Sequence, residues 1–195
     1  ITIPESVTSI GSHAFSGCTG LTEINYNATN LADLSGNNYI FYNAGRDGAG
    51  IVVNIGANVT RIPAYLFSPM SSPLYSPNIV ALNFLDNSQC VEIGDYAFSE
   101  CGSLIDITLP EGVTSIGSYA FNGCHGLISI IIPGSVTDIG SYAFRDCESL
   151  VYIINKSTLD FVVGDYGTDI DSILEIITAE TAVSYTHLRA HETSA

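Results

Sequence analysis

The sequence predicts a β-rich solenoid, in which short repeats coil so that a parallel sheet forms one face and short helical or 3₁₀ turns form the other. Two observations carry this prediction. A nine-residue segment recurs about every two dozen residues, and a stretch of alternating apolar residues precedes most of its copies. Because 46% of the 195 residues are apolar and only 13% are charged, the chain is too apolar to be disordered.

The repeated segment is clearest at Ile116–Cys124 and Ile139–Cys147, which start 23 residues apart, and at Ile93–Cys101, a further 23 residues upstream. A fourth copy is Ile10–Cys18, two weaker copies lie between, and a seventh, decayed copy has Thr168 in place of Phe. One repeat cannot bury its own apolar edge, whereas stacked repeats bury a continuous core. We therefore expect a core column of Phe15, Phe41, Phe67, Phe98, Phe121 and Phe144.

A strand signal lies between the copies. Leu104–Leu109 and Leu127–Ile132 follow the pattern L-x-x-L-x-L, and each is followed by a proline that cannot donate to a sheet. After a second short apolar stretch, Gly117 is expected to permit a turn, and Tyr-Ala-Phe-x-x-Cys to form one helical or 3₁₀ turn. A 23-residue unit of this kind is typical of leucine-rich repeats. Equivalent strands are expected at Ile79–Phe84, Leu21–Tyr26 and Leu150–Asn155.

The motif Ile-Pro-x-x-Val-Thr-x-Ile-Gly-x-x-Ala-Phe-x-x-Cys-x-x-Leu resembles the BspA-like, or Treponema pallidum type, class of leucine-rich repeats over about residues 1–155. The resemblance implies a right-handed leucine-rich-repeat superhelix in a bacterial or protozoan cell-surface or secreted protein. Some members bind host matrix proteins or mediate adhesion and coaggregation. It also implies a scaffold without catalytic residues or cofactors, and protein partners such as extracellular matrix or cell-surface glycoproteins.

The chain is expected to be a fragment with three parts. A solenoid covers residues 1–168, with insertions at 27–50 and 68–78, and an acidic cap segment covers 169–182. The acidic residues of Asp160–Glu180 are interpreted as a solvated cap, with a calcium site as the alternative. Residues 183–195 break the repeat pattern and look like translated adaptor sequence. A genuine tail is the alternative for that segment.

Charge and motifs exclude several functions. The formal net charge of −15 would repel phosphate backbones and anionic lipid surfaces, so nucleic-acid partners are not expected. No apolar run reaches the roughly 18 residues that a membrane helix needs, so no membrane insertion of this fragment is expected. The sequence contains no nucleophile elbow, zinc-protease helix, P-loop or dinucleotide fingerprint. We therefore predict no enzyme, no cofactor and no metal site.

The five cysteines are predicted to be buried reduced thiols. Four of them share one repeat position, which other copies fill with Met70 or Ala44, and Cys90 stands where other copies have valine. Such interchange is typical of a small apolar site. Disulfides between stacked layers and a zinc site are the weaker alternatives. The four aligned cysteines are Cys18, Cys101, Cys124 and Cys147.

The outer face of the sheet is the main candidate for binding. Residues between the apolar positions of each strand should point away from the core. In the later layers these outward-facing residues are more apolar than is usual for residues that face solvent. An exposed apolar patch usually marks a contact surface. Cover by Asp169–Thr178 and simple strand propensity remain as alternatives. The candidates are Ile105, Asp106, Thr108, Ile128, Ser129, Ile131, Val151, Tyr152 and Ile154.

A second column of tyrosines stands two residues before the Phe column. It is interpreted either as an aromatic strip for a protein or glycan partner or as a cover over the seams between layers. Two functions remain in play: a non-catalytic interaction or adhesion module that uses the sheet face and loops, and a structural spacer that presents other domains of a larger protein. The strip comprises Tyr65, Tyr96, Tyr119 and Tyr142.

Overall fold

The computed structural model describes residues 1–68 and 75–159, together with the backbone of 175–178. Almost all of the regular structure in this part of the chain is strand, as the alternation of apolar residues predicts. The described strands are β1 (Thr2–Ile3), β2 (Glu23–Tyr26), β3 (Ile51–Ile55), β4 (Arg61–Ile62), β5 (Ile79–Phe84), β6 (Glu92–Ile93), β7 (Asp106–Thr108), β8 (Ser115–Ile116), β9 (Ser129–Ile132), β10 (Asp138–Ile139), β11 (Tyr152–Asn155) and β12 (Glu175–Thr178).

These strands form two parallel sheets. The larger sheet has the order β1-β2-β3-β5-β7-β9-β11-β12 and the smaller has the order β10-β8-β6-β4. The register places equivalent residues in line, since Ile107 pairs with Ile130 and Ile130 pairs with Ile153. The predicted β-rich leucine-rich-repeat solenoid is confirmed. The smaller sheet was not predicted; it is built from the second apolar stretch of each repeat, where Ile93 pairs with Ile116.

The repeated segment forms a series of turns. In Gly94–Cys101, alternate amides donate to the carbonyl three residues back, as Ala97 N does to Gly94 O at 3.2 Å. The amides between them donate to the next rung, as Phe98 N does to Ala120 O at 2.8 Å. Tyr96 has a φ of +55°, and a left-handed residue cannot continue a right-handed helix. The predicted helical turn is therefore divided into separate hydrogen-bonded turns.

The glycine of each repeat permits close approach between rungs. A Cβ atom at Gly117 would lie 2.5 Å from the amide nitrogen of Asp95, and one at Gly94 would lie 2.6 Å from that of Ala64. Neither glycine has a positive φ, whereas Tyr96 and Tyr119, each two positions after one of these glycines, have φ values of +55° and +56°. The expectation that Gly117 serves the turn is therefore corrected, because lack of a side chain is what this position requires.

The Phe column forms the predicted stack. The ring centroids of Phe98 and Phe121 are 5.4 Å apart with an interplanar angle of 4°, and those of Phe121 and Phe144 are 5.6 Å apart at 1°. Similar contacts continue the stack back to Phe15, whose ring is only half-buried. Phe15 lies in the first rung of this chain, so a neighbouring ring covers it on one side only.

The cysteine ladder is confirmed for four of the five residues. Cys90, Cys101, Cys124 and Cys147 are buried, and no disulfide joins any of the five. The Sγ of Cys147 donates to the Phe121 carbonyl at 3.2 Å, and that of Cys124 donates to the Phe98 carbonyl at 3.3 Å. The side chain therefore contacts the preceding rung, with a carbonyl oxygen as acceptor.

The prediction is wrong for Cys18, which is exposed. Its repeat position uses a carbonyl of the preceding rung, and Cys18 belongs to the first rung of the chain. The other four thiols are buried, and burial raises their pKa values. The pKa of Cys90 is raised to about 11 and that of Cys147 to about 12. Burial likewise raises the pKa values of Cys101 and Cys124.

The insertion at 27–50 packs as part of the stack. Leu31, Ile40 and Phe41 are buried within it. Asn38 is also buried, and its Nδ2 donates to the Tyr65 carbonyl of the next rung at 2.9 Å. Its Oδ1 accepts from the Ile40 amide at 3.0 Å. These contacts favour an insertion that packs as part of the stack over one that projects as a free binding loop.

Several expectations fall outside the described residues. They concern Met70, the decayed copy with Thr168, the acidic residues from Asp160 to Asp171 and the tail at 183–195. Of the proposed cap, only the backbone of β12 is described, and it pairs in parallel with β11. At these four residues the chain extends the edge of the sheet; it does not lie across the face.

The Phe stack predicts unequal costs of truncation along one column. Phe121→Ala should lower the free energy of unfolding by about 3–5 kcal/mol, since the ring is fully buried between two others. Phe15→Ala should lower it by only about 1–2 kcal/mol, because that ring is only half-buried and stacks on one neighbouring ring. Urea unfolding of both variants measures the difference. Equal losses would contradict a core that is built from stacked rings.

The close approach of the rungs at the repeat glycine predicts different outcomes for two glycines that occupy the same repeat position. Gly117→Ala should lower the free energy of unfolding by about 1–3 kcal/mol, because the added methyl group meets the backbone of the preceding rung. Gly11→Ala should change it by less than about 0.5 kcal/mol, since no atom lies within 4 Å of a Cβ built there. Thermal denaturation of the two variants tests this, and equal tolerance would argue against contact between the rungs.

The buried thiols predict selective reactivity. At about pH 8, a thiol reagent should modify Cys18 rapidly and the other four cysteines only after denaturation, since they are buried and remain protonated. The raised pKa values also set a pH dependence. Unfolded thiols ionise near pH 8.5, while the folded ones stay protonated, so stability should fall as the pH rises from about 9. Rapid modification of several thiols in the folded chain would contradict the ladder.

Candidate functional site

Three exposed apolar residues form a column on the outer face of the larger sheet. Ile105, Ile128 and Val151 stand just before β7, β9 and β11, and they are 53%, 46% and 39% exposed. Backbone hydrogen bonds keep them in line, since Ile128 N donates to Ile105 O at 3.1 Å and Val151 N donates to Ile128 O at 2.9 Å. An aligned set of exposed aliphatic side chains is unusual on a solvated surface.

The remaining predicted face residues lie on the same side of the sheet. Asp106 and Thr108 are exposed in β7, where Ile107 between them is buried. The equivalent residues of β9 and β11 are half-buried and alternate with buried residues, which are Ile130 and Ile132 in β9 and Ile153 and Asn155 in β11. The orientation expected from strand alternation is therefore observed. The half-buried residues are Ser129, Ile131, Tyr152 and Ile154.

The earlier strands carry polar side chains on this face. Asn25, Asn54 and Asn83 are register partners in β2, β3 and β5. The Nδ2 of Asn54 donates to the Oδ1 of Asn25 at 2.9 Å, and that of Asn83 donates to the Oδ1 of Asn54 at 3.0 Å. Glu23 accepts from both Asn25 and Asn54 at 3.2 Å. The sequence signal for this amide ladder was an asparagine at the same position of three strands.

A groove separates the polar half of the face from the apolar half. It has a volume of about 560 Å³ and lies between β5 and β7. One wall is the turn after β5, in which five residues separate Phe84 from Cys90, where three separate Leu109 from Val113 in the next repeat. Sequence analysis did not identify this groove, although the longer turn was its signal.

The tyrosine strip is a stack of rings with a left-handed backbone. The ring centroids of Tyr65 and Tyr96 are 4.7 Å apart, and those of Tyr96 and Tyr119 are 4.6 Å apart, with interplanar angles of 9° and 7°. Tyr142 continues the stack at 5.0 Å from Tyr119, and the guanidinium of Arg145 lies 5.2 Å from the Tyr142 ring centroid. All four tyrosines are half-buried.

This stacking leaves ring edges at the surface, because the ring faces contact each other. A glycan platform needs an open ring face, so the geometry favours the reading in which the tyrosines cover the seams between rungs. Partial burial raises the pKa of Tyr65 and Tyr96, and the negative charge of Asp95 adds to the effect. The Tyr65 and Tyr96 phenols therefore remain neutral at physiological pH.

The described residues offer little for metal binding. Within 1–68 and 75–159, no group of three His, Cys, Asp or Glu side chains is placed to hold a metal ion.

Glu100 is half-buried, and burial raises its pKa, with nearby His125 opposing the shift. Its Oε1 accepts from Asn122 Nδ2 at 3.2 Å. In the same ranges, no helix has the length and apolar character that crossing a membrane requires.

The two parallel sheets and the aligned repeats define a leucine-rich-repeat solenoid, a class of scaffold that generally serves protein contact and for which no catalytic family is indicated. The family model for the BspA type leucine rich repeat region, in six copies, matches residues 1–80 and 71–177. The chain belongs to this family. No curated protein matches it.

Solved structures of bacterial leucine-rich repeat proteins share the fold. A protein from Bacteroides ovatus ATCC 8483 is 28% identical with a TM-score of 0.63, over 91% of this chain and 41% of that one. One from Eubacterium ventriosum ATCC 27560 is 22% identical with a TM-score of 0.54, over 77% and 36%. The T. pallidum leucine-rich repeat protein is 19% identical with a TM-score of 0.55, over 96% and 82%. The chain spans less than half the length of the first two.

Proposed function

We propose that this chain is a non-catalytic interaction and adhesion module of a cell-surface or secreted protein. It binds macromolecules of a host or of neighbouring cells through the outer face of the sheet and the adjoining loops. The observation that carries the proposal is the exposed column Ile105, Ile128 and Val151. Family membership supports the protein-contact role and the surface location.

The free energy available from this column is adequate for recognition. Each aliphatic side chain gains about 25 cal/mol for every Å² of apolar surface that a partner covers. Backbone hydrogen bonds align the three residues before binding, so little backbone conformational entropy is lost when a partner covers them. Repetition along the solenoid also allows several weak contacts to add avidity.

A structural spacer is the second candidate. The observation that favours it is the regularity of the stack, in which Phe rings follow one another from Phe15 to Phe144 at 5.3–5.6 Å. A stiff coil of this kind could hold other domains away from a cell surface. The spacer reading gives no role to the exposed aliphatic column.

A paired substitution on the sheet face tests the binding role. We expect Ile128→Ser with Val151→Ser to weaken adhesion of the chain to immobilised extracellular matrix glycoproteins by about tenfold or more. Both positions are exposed, so the melting temperature should change little. Val91→Ser is the matched control, since Val91 is 44% exposed and stands outside this face. Its adhesion should equal that of the native chain.

The spacer reading predicts a different result. A chain that acts only as a spacer adheres to none of these glycoproteins, or adheres equally well with and without the two serine substitutions. Either result, with the folded state confirmed by circular dichroism, would contradict the binding role of the sheet face.

A further inference from the structure

The groove between β5 and β7 differs from the rest of the sheet in its hydrogen bonding. In the described structure, Leu82 and Ile107 are the only register pair that joins these two strands. By comparison, β11 pairs with β9 at four positions. Regular pairing between these two strands is therefore limited to this one position. The gap runs from Ile105 at one end to the turns that contain Asp86 and Glu111 at the other.

The lining of the groove is acidic. Among its described lining residues are three carboxylates, Asp86, Asp106 and Glu111, and no lysine or arginine. Glu111 also pairs with Lys156, whose Nζ lies 3.1 Å from its Oε1. Asp86 and Asp106 are exposed to solvent. The field in the groove is therefore negative, as is the net charge of the chain.

The amide ladder adds hydrogen-bond acceptors at this edge. In this ladder each side-chain amide donates to the asparagine of the preceding strand. Asn83 is the last member, and its Oδ1 therefore lies on the side of the ladder that adjoins the groove. Thr108 is the next residue in the same column and lines the opposite side of the groove. The groove thus has side-chain acceptor oxygens at Asn83 and Thr108 and an aliphatic surface at Ile105.

We propose that this groove binds an extended segment of a partner protein in which lysine or arginine side chains stand beside aliphatic ones. The basic groups pair with Asp86 and Asp106, and the aliphatic groups cover Ile105 and continue onto Ile128. This inference rests on the proposed function of the sheet face and specifies the chemistry of its partner.

Charge excludes two other occupants. A second copy of this chain carries the same net charge of −15 and would be repelled. The segment 160–182 of the chain contains six acidic residues and no basic one. Placing it in a groove lined by carboxylates would bring like charges together. A basic segment from another protein has the complementary charge.

The experiment uses short synthetic peptides of alternating composition with blocked ends. The test peptide alternates lysine with valine, and three others replace lysine by glutamate, lysine by serine, or valine by glycine. Fluorescence anisotropy measures binding to the full chain. We expect the lysine–valine peptide to bind most tightly. Its binding should weaken as salt rises from about 0.05 to 0.5 M, since exposed charge pairs are screened.

Two double variants locate the charge effect. Asp86→Asn with Asp106→Asn should weaken the lysine–valine peptide by about fivefold and reduce the salt dependence, as expected for two solvent-exposed charge pairs. Asp47→Asn with Asp138→Asn removes the same charge from two exposed residues outside the groove. This control should retain native affinity. Equal weakening in both variants would overturn the groove assignment in favour of a general charge effect.

The peptide series separates this inference from the proposed function. If the serine–valine or glutamate–valine peptide binds as well as the lysine–valine one, and Ile128→Ser abolishes both, the sheet face binds partners but the basic chemistry is wrong. If the lysine–glycine peptide binds as tightly as the lysine–valine one, the aliphatic part is wrong. If no peptide binds, the groove inference is overturned while adhesion through the wider face is still measured by the serine variants.

Discussion

The distance between successive rungs is the constraint on which the whole molecule depends. Hydrogen bonds between parallel strands hold neighbouring chains at about 4.8 Å, and every other column of side chains has to fit that spacing. In the later rungs the centroids of successive Phe rings are 5.3–5.6 Å apart and their planes are nearly parallel. The ring centroid of Tyr96 lies 4.6–4.7 Å from those of its two neighbours. Residues that fail to fit, such as any side chain at Gly117, would force the rungs apart. Selection of side chains by one shared distance explains why the repeat is so visible in the sequence.

That same distance determines what could be predicted from the sequence. The period identifies which residues share a column, so the Phe stack, the outward orientation of Ile128 and the burial of Cys124 follow from alignment of the repeats alone. The backbone of the turns does not follow. Preference rules assign positive φ to glycine, yet in this repeat Gly117 serves close packing, and Tyr119 as well as Gly123 adopts the left-handed conformation. The Tyr119 ring stacks on the Tyr96 ring of the neighbouring rung, and stacking is a contact between layers that no single repeat contains.

The cysteines illustrate how position in the stack overrides residue type. Cys18 and Cys124 occupy the same place in the repeat, but Cys18 is exposed, whereas Cys124 is buried and its sulfur donates to the Phe98 carbonyl. Ala44 fills the same position and is equally buried, so the column requires small volume and no bridge. The cysteines of this column therefore serve as small apolar side chains.

The outer face divides into two surfaces with different physical properties. In the early strands, Asn25, Asn54 and Asn83 satisfy one another and Glu23, so this surface has few polar groups that a partner must rearrange. In the later strands, Ile105 and Ile128 expose apolar area that water solvates poorly. A partner gains most by covering the second surface, while the acidic groove at the boundary acts on charge before contact is made. Under the proposed function, apolar contact supplies the affinity and long-range charge selects which proteins approach.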